Sequence, residues 1–320
     1  MIGIDIGKTK FDAAVLLPNN KVKTRKFDNK LNGFSEFIMW IKKLDVEDFH
    51  VCMEATGNYG EDFAIYLCEN DFTVSVVNPA QIKGFAQSQL ARTKNDRADS
   101  IVIAKFCQAI QPKVWQPAPL YIRELQALVR RLEALQDMHQ QEINRLHVAS
   151  THIKHSIQTV SKKLAEEIKE IKEKIKHHID QYPDLRDKKV LLETIPGVGE
   201  STIAQVLAFM GNPKDFENAK QFSAFVGLNP KQRQSGSSVR GKTRLSKTGN
   251  VNLRKAFYFP AIVAKQYNPV IQAFCERLKA LGKPTMVIIG AAMRKLVHLI
   301  YGVLKSGKPF DANVVLGVLT

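Results

Sequence analysis

Met1-Ile-Gly-Ile-Asp-Ile-Gly-Lys-Thr-Lys-Phe-Asp-Ala-Ala-Val-Leu-Leu17 decides how the chain begins to fold. Two apolar runs, 2–6 and 11–17, flank the turn-forming Gly7-Lys-Thr and read as two strands in close succession. Lys21 to Phe27 alternates polar and apolar like a third, half-exposed strand, so a meander opens the fold. Beyond it the pattern predicts a helix around Gly33 to Lys43, a strand at His50 to Met53, a helix at Glu61 to Glu69 and a strand at Thr73 to Val77. Strands alternating with helices predict an α/β layer architecture with parallel strands.

After Asn78-Pro79 a helical stretch runs to Leu90. The basic turn Arg92-Thr-Lys-Asn then precedes a helix from Asp96 to Gln108, capped by Asn95 or Asp96. Pro112, Pro117 and Pro119 interrupt the chain and place a boundary, giving a first domain of 1–115. Within it, Asp5 and Glu54 lie at or just past the ends of apolar strands, and Asp96 and Asp99 are three apart where a helix starts. A fold can bring these four together. Hard divalent cations, Mg²⁺ or Mn²⁺ in its place, take such oxygen ligands, and their natural chemistry is phosphoryl transfer on nucleic acid. Each carboxylate also has a plainer reading. Asp5 could cap the Gly7 turn, Glu54 could face solvent, Asp96 could be an N-cap, and Asp99 could pair with Arg97 or Lys105. Asp12 is the nearest competing ligand. Lys94 and Arg97 flank the helix start and either offset its charge or touch nucleic acid.

Across 320 residues, 47 Lys plus Arg against 31 Asp plus Glu give a formal charge of +16, which favours a polyanionic partner. The cysteines, Cys52, Cys68, Cys107 and Cys275, show no paired metal-ligand spacing and imply a reduced, cytoplasmic setting. No leader-like segment and no uninterrupted apolar run of about 18 residues is read, so no membrane partner is expected and the setting is the nucleoid.

Leu125, Leu128, Leu132 and Leu135, continued by Ile143 and Leu146, form an apolar stripe. Leu164, Ile168, Ile171, Ile175 and Ile179 form a second. Two long amphipathic helices over 116–185 follow, as an antiparallel hairpin or a dimerising coiled coil, and Tyr182-Pro183 closes the stretch. The third domain, 186–320, is mainly α. Its helix, Ile195-Pro-Gly-Val-Gly, helix step resembles a helix-hairpin-helix unit, in which Gly197 and Gly199 would let backbone amides grip a phosphate. A Gly-x-Gly turn between helices is more commonly just a turn.

Between Asn218 and Cys275 there is no Asp or Glu, but Lys220, Lys231, Arg233, Arg240, Lys242, Arg244, Lys247, Arg254, Lys255 and Lys265 all fall there. Solvated surfaces mix signs, so one-signed density implies that a phosphate backbone supplies the missing charge. Inside it, 232–244 reads as a flexible loop with Ser235, Ser237 and Ser238 between arginines. A serine in such a loop is ordinarily a turn residue, although guanidinium forks suit a scissile phosphate.

Met1-Ile-Gly-Ile-Asp-Ile-Gly-Lys, Met53-Glu-Ala-Thr-Gly, Asn78-Pro and Arg92-Thr-Lys-Asn-Asp-Arg-Ala-Asp resemble the N-terminal DEDD domain of the IS one-ten family of insertion-sequence transposases. Ile195-Pro-Gly-Val-Gly, Phe225-Val-Gly-Leu-Asn-Pro, Gln234-Ser-Gly and Lys247-Thr-Gly-Asn-Val-Asn-Leu-Arg are similar to its C-terminal domain. The resemblance spans nearly the whole chain. It implies a RuvC-like, ribonuclease-H-type first domain with Asp5, Glu54, Asp96 and Asp99 holding Mg²⁺. It also implies that Ser235 attacks DNA phosphate to form a phosphoserine link. A structured guide RNA from the element would pair with DNA, and a dimer or tetramer would combine metal and serine sites from different subunits. Two other readings stand beside it: a metal-dependent junction nuclease using water, and a sugar kinase or actin-like ATPase suggested by Ile4-Asp-Ile-Gly-Lys-Thr. The second lacks a further phosphate loop.

Overall fold

A computed structural model of the chain describes residues 1–19, 21–44, 49–55, 59–89, 95–235 and 239–317, with the backbone alone at 232–235, 239–243 and 315–316. It divides into two compact units, Met1–Pro117 and Ala118–Thr320.

In the first unit, β1 (Ile2–Ile6), β2 (Lys10–Leu16) and β3 (Val22–Asp28) form the antiparallel meander read from the sequence. Next come α1 (Leu31–Lys42), β4 (His50–Glu54), α2 (Glu61–Glu69), β5 (Thr73–Val77), α3 (Pro79–Ser88) and α4 (Asp96–Ile110). β4 adds to β1 and β5 to β4, both parallel, so the mixed sheet has the order β3-β2-β1-β4-β5. This α/β arrangement is consistent with a ribonuclease-H-like domain.

Alternation along the strands sends Ile2, Ile4, Ile6, Phe11, Val15 and Phe27 to one face, where they share a core with Phe34 and Phe37 of α1 and Phe63 of α2. Phe11 lies 4.4 Å from Phe63 and 5.3 Å from Phe27, ring centre to ring centre. The other face therefore carries Gly3, Asp5, Asp12, Ala14, Lys26, Cys52 and Glu54. α4 lies across it in contact with β1, β2 and β4, and Ile103, Phe106 and Cys107 pack there on Cys52 and Val77. The approach is close enough to require glycine: a Cβ on Gly3 would lie 2.2 Å from both Ala104 N and Ser100 O.

In the second unit, α5 (Leu120–Val148) and α6 (Thr151–Gln181) pack on each other as a hairpin. His178 donates from Nε2 to Tyr121 O at 2.7 Å and ties the two open ends together. Leu125, Val129, Leu132, Ile175 and Ile179 join the core of the helices that follow. Those are α7 (Pro183–Glu193), α8 (Glu200–Phe209), α9 (Ala219–Val226), α10 (Val251–Ala256), α11 (Tyr258–Tyr267), α12 (Pro269–Ala280), α13 (Thr285–Ser306) and α14 (Ala312–Leu316), with β6 (Pro230–Ser235) and β7 (Val239–Leu245) between α9 and α10. Among the described residues α13 alone is long and apolar enough to cross a membrane. Its Ala292, Leu296, Val297 and Ile300 are fully buried, and α9, α11 and α12 pack around it, so it is the unit's central helix.

The described residues of 232–244 depart from the expected flexible loop: Lys231 pairs with Arg244, Arg233 with Gly241, Gln234 with Arg240 and Ser235 with Val239 in an antiparallel ribbon. The segment has no apolar alternation to announce strands, so a backbone ladder of this kind leaves no periodic signal in the sequence.

Candidate functional site

The α4 face of the first unit gathers the carboxylates. Asp5 stands opposite Asp12, and Asp12 opposite Lys26, in one row across β1, β2 and β3. Ile4 pairs with Met53, so Glu54 follows on β4 beside Asp5. Asn95, in extended backbone, caps α4 by accepting from Ala98 N at 2.8 Å, which leaves Asp96 and Asp99 inside the first helical turn. Negative side chains are favoured there by the helix dipole. Burial, then the charges of Asp99, Asp96, Glu54 and Asp12, push the Asp5 carboxyl up to about 6 from an ordinary 3.8.

Lys26 was not singled out in the sequence, yet it is central to this row. Its Nζ lies 3.0 Å from Asp12 Oδ2 and 3.4 Å from Asp96 Oδ2, joining the sheet to the start of α4. The hydrogen bond to Asp12 is the main reason its pKa is raised. The available signal was parity: Phe27 points into the opposite core, which turns Lys26 toward the acids. Arg97 is exposed in the same helical turn, and Lys94 lies outside the described residues.

On the second unit, Gly197 has φ +96, and a Cβ there would meet Ala264 Cβ at 2.6 Å. Asn268 Nδ2 donates to Pro196 O at 3.2 Å, so the 195–199 turn is fastened to α11 and α12, and this packing alone demands the glycine. Gly199 is exposed at the start of α8, where Glu200 already places negative charge in the first turn. Lys231, Arg244 and Lys247 are exposed on or just beyond the β6–β7 ribbon. Arg233 and Ser235 lie on β6, and Arg240 and Lys242 on β7. Ser237 and Ser238 lie outside the described residues. Arg254 behaves differently, donating to two backbone carbonyls.

Residues 2–153 match a family model for the DEDD transposases of the IS110 type, described as "Transposase", and residues 189–276 match "Transposase IS116/IS110/IS902 family". A "Pilin gene-inverting protein" of Moraxella bovis is 32% identical over 317 residues, 98% of each chain. The chain belongs to the IS110 family of transposases. The "Transposase for insertion sequence element IS1111A" of Coxiella burnetii is 24% identical over 284 residues, 79% of this chain and 74% of the other. Membership in this family makes the chain a DNA transposase of an insertion sequence, with DNA as its substrate.

A DEDD-type transposase suggests a divalent metal ion. The donors on the α4 face fit one: all are carboxylate oxygens, and their mutual repulsion already shows in Asp5. Among the described residues no three potential ligands close around a single point as the side chains stand. Lys26 supplies part of the positive charge that this row of acids calls for. Replacing Lys26 with Met removes that competitor, so we expect divalent affinity to rise several-fold, read by titration calorimetry with Mn²⁺. Unchanged or weaker affinity would show that Lys26 does not compete with the ion.

Proposed function

We propose that this transposase cuts and rejoins DNA strands using a divalent ion, Mg²⁺ or Mn²⁺ in its place, held by Asp5, Glu54, Asp96 and Asp99, with Ser235 as nucleophile. The observation that carries this reading is the gathering of Asp12, Glu54, Asp96 and Asp99 near Asp5 at the start of α4, where burial and then their charges raise the Asp5 carboxyl. When bound, the ion would neutralise charge on the transferring phosphoryl group and orient it. Ser235 Oγ forms a bond to phosphorus and loses its proton, while the bond to the leaving deoxyribose oxygen breaks and that oxygen takes up a proton. The phosphoserine ester keeps the phosphodiester's bond energy, so attack by another strand's hydroxyl rejoins DNA and frees the serine without ATP.

Arg233, Arg240, Lys242, Arg244, Lys231 and Lys247 neutralise the strands around Ser235, with Lys94 and Arg97 as further phosphate contacts and the Gly197–Gly199 turn as another phosphate grip. Base recognition falls to a guide RNA. The acid-free basic segment supplies affinity for phosphate backbones, and pairing supplies sequence. The active form is a homo-oligomer, dimer or tetramer, and the exposed Val148, Ile153 and Val160 at the tip of the α5–α6 hairpin offer apolar surface for self-association.

The test is Ser235→Ala. It should abolish both strand exchange and protein-DNA adducts resolved on denaturing gels, with DNA affinity within about twofold of wild type. Free DNA ends with no adduct in the wild-type protein would instead support water as nucleophile, in a metal-dependent junction nuclease.

A further inference from the structure

We infer that Arg254 is a positioning residue that locks the foot of the β6–β7 ribbon, and with it the nucleophile, instead of contacting DNA phosphate. This rests on the assignment of Ser235 above. Arg254, on α10, uses one nitrogen, Nη1, to donate to Lys247 O at 3.1 Å and to Val226 O at 3.3 Å. Val226 ends α9 just before β6, and Lys247 follows the end of β7. A single side chain therefore holds the chain on its way into the ribbon and on its way out.

The surroundings are shaped for this. A Cβ on Gly227, whose φ is +80, would lie 2.5 Å from Nη1. At Gly249 (φ +144) the two chain segments cross in backbone contact, a Cβ there meeting Phe225 O at 2.4 Å. Asn250 N donates to Phe225 O at 2.7 Å, and Ser246 N to Asn229 O at 2.8 Å. Lys247 adopts φ +57, a left-handed backbone unusual for a non-glycine residue. Both protons of Nη1 are engaged inside the protein, which suits a clamp better than a phosphate ligand.

Geometry makes the foot decisive. Among the described residues β6 and β7 form a two-stranded sheet of their own, and such a ribbon has little stability by itself. Ser235 is at the far end of β6, about 17 Å from Pro230 at about 3.3 Å per residue. A tilt of about 10° at the foot moves that end by about 3 Å, while a misplacement of about 1 Å can cost roughly 10²-fold in rate.

The experiment compares wild type, Arg254→Ala and Arg254→Lys in the full-length protein, by hydrogen exchange of the β6–β7 amides, adduct formation at saturating DNA, and the salt dependence of duplex binding. A positioning role predicts faster ribbon exchange and roughly 100-fold less adduct for Arg254→Ala, with DNA affinity and salt slope unchanged. Arg254→Lys keeps the charge but has a shorter reach, so it should fall between the two in exchange and adduct yield. Unaltered ribbon exchange and full adduct yield at saturation, with a salt slope lower by about one for Arg254→Ala, would make Arg254 a phosphate contact and overturn the inference. If wild type forms no adduct at all, the serine assignment fails, and ribbon exchange still decides the role of Arg254.

Discussion

Asp5→Asn should abolish metal-dependent strand cleavage while making the protein harder to unfold at pH 7. Loss of an outer-sphere partner of a metal typically costs roughly 10–100-fold, and loss of a ligand at the centre of the acidic row should exceed that. The stability gain follows from linkage. In the fold Asp5 titrates at about 6, above its ordinary 3.8, so the folded state holds a proton that the unfolded chain has released between those values. That contribution is present in full below about pH 4 and is lost as pH rises through 6. At pH 7 the wild-type protein bears the cost of an ionised Asp5 among like charges, and the amide does not. Water still reaches this side chain, so the difference is about 1–2 kcal/mol rather than the full value of the shift. Thermal melts from pH 4 to 8 would check it: the two proteins should converge at the acid end, separate between about pH 4 and 6, and keep a constant gap above that. Added Mg²⁺ should raise the wild-type midpoint and leave the variant's unmoved. A variant that melts below wild type at pH 7, or that still cleaves, would remove Asp5 from the centre of the site.

Gly3→Ala is the second large effect, and it acts through α4. The added methyl would stand 2.2 Å from two backbone atoms of that helix, and no rotamer change relieves a clash with backbone. α4 must lift, carrying Asp96 and Asp99 away from Asp5, and overpacking of this severity should cost about 3 kcal/mol or more. Trp40 and Trp115 both pack on the core of the first unit, so urea unfolding followed by tryptophan fluorescence reports that unit selectively. Gly84→Ala is the control. Gly84 sits in α3 with no atom within 4 Å of an added Cβ, so the same substitution should stabilise by about 0.5–1 kcal/mol. If both variants unfold within about 1 kcal/mol of wild type, the close seating of α4 on β1 is wrong.

Much of the first unit was legible before any coordinates. α2 and β5 have the limits that apolar spacing predicts, and Asn95 was one of two caps considered for α4. These are local properties: strand alternation, helix periodicity and caps each depend on a few neighbouring residues. The ribbon was missed because its sequence shows no apolar alternation. Lys26 and Asp12 were underrated because their importance is a matter of cross-strand register, which joins residues far apart in the chain. Arg254 was counted with the phosphate-seeking bases because composition shows charge but not the carbonyls that absorb it.

The amino-acid order alone therefore fixed the kinds of element in the first unit, their sequence along the chain, the acids worth watching and the attraction to a polyanion. Tertiary structure decided which acids share a face, that a lysine stands among them, and that α4 reaches its seat only over a glycine. The division has a physical basis. Propensity and hydrophobic period are short-range and written in neighbouring residues, whereas charge coupling and steric fit depend on distances that exist only once the sheet and its covering helix have packed.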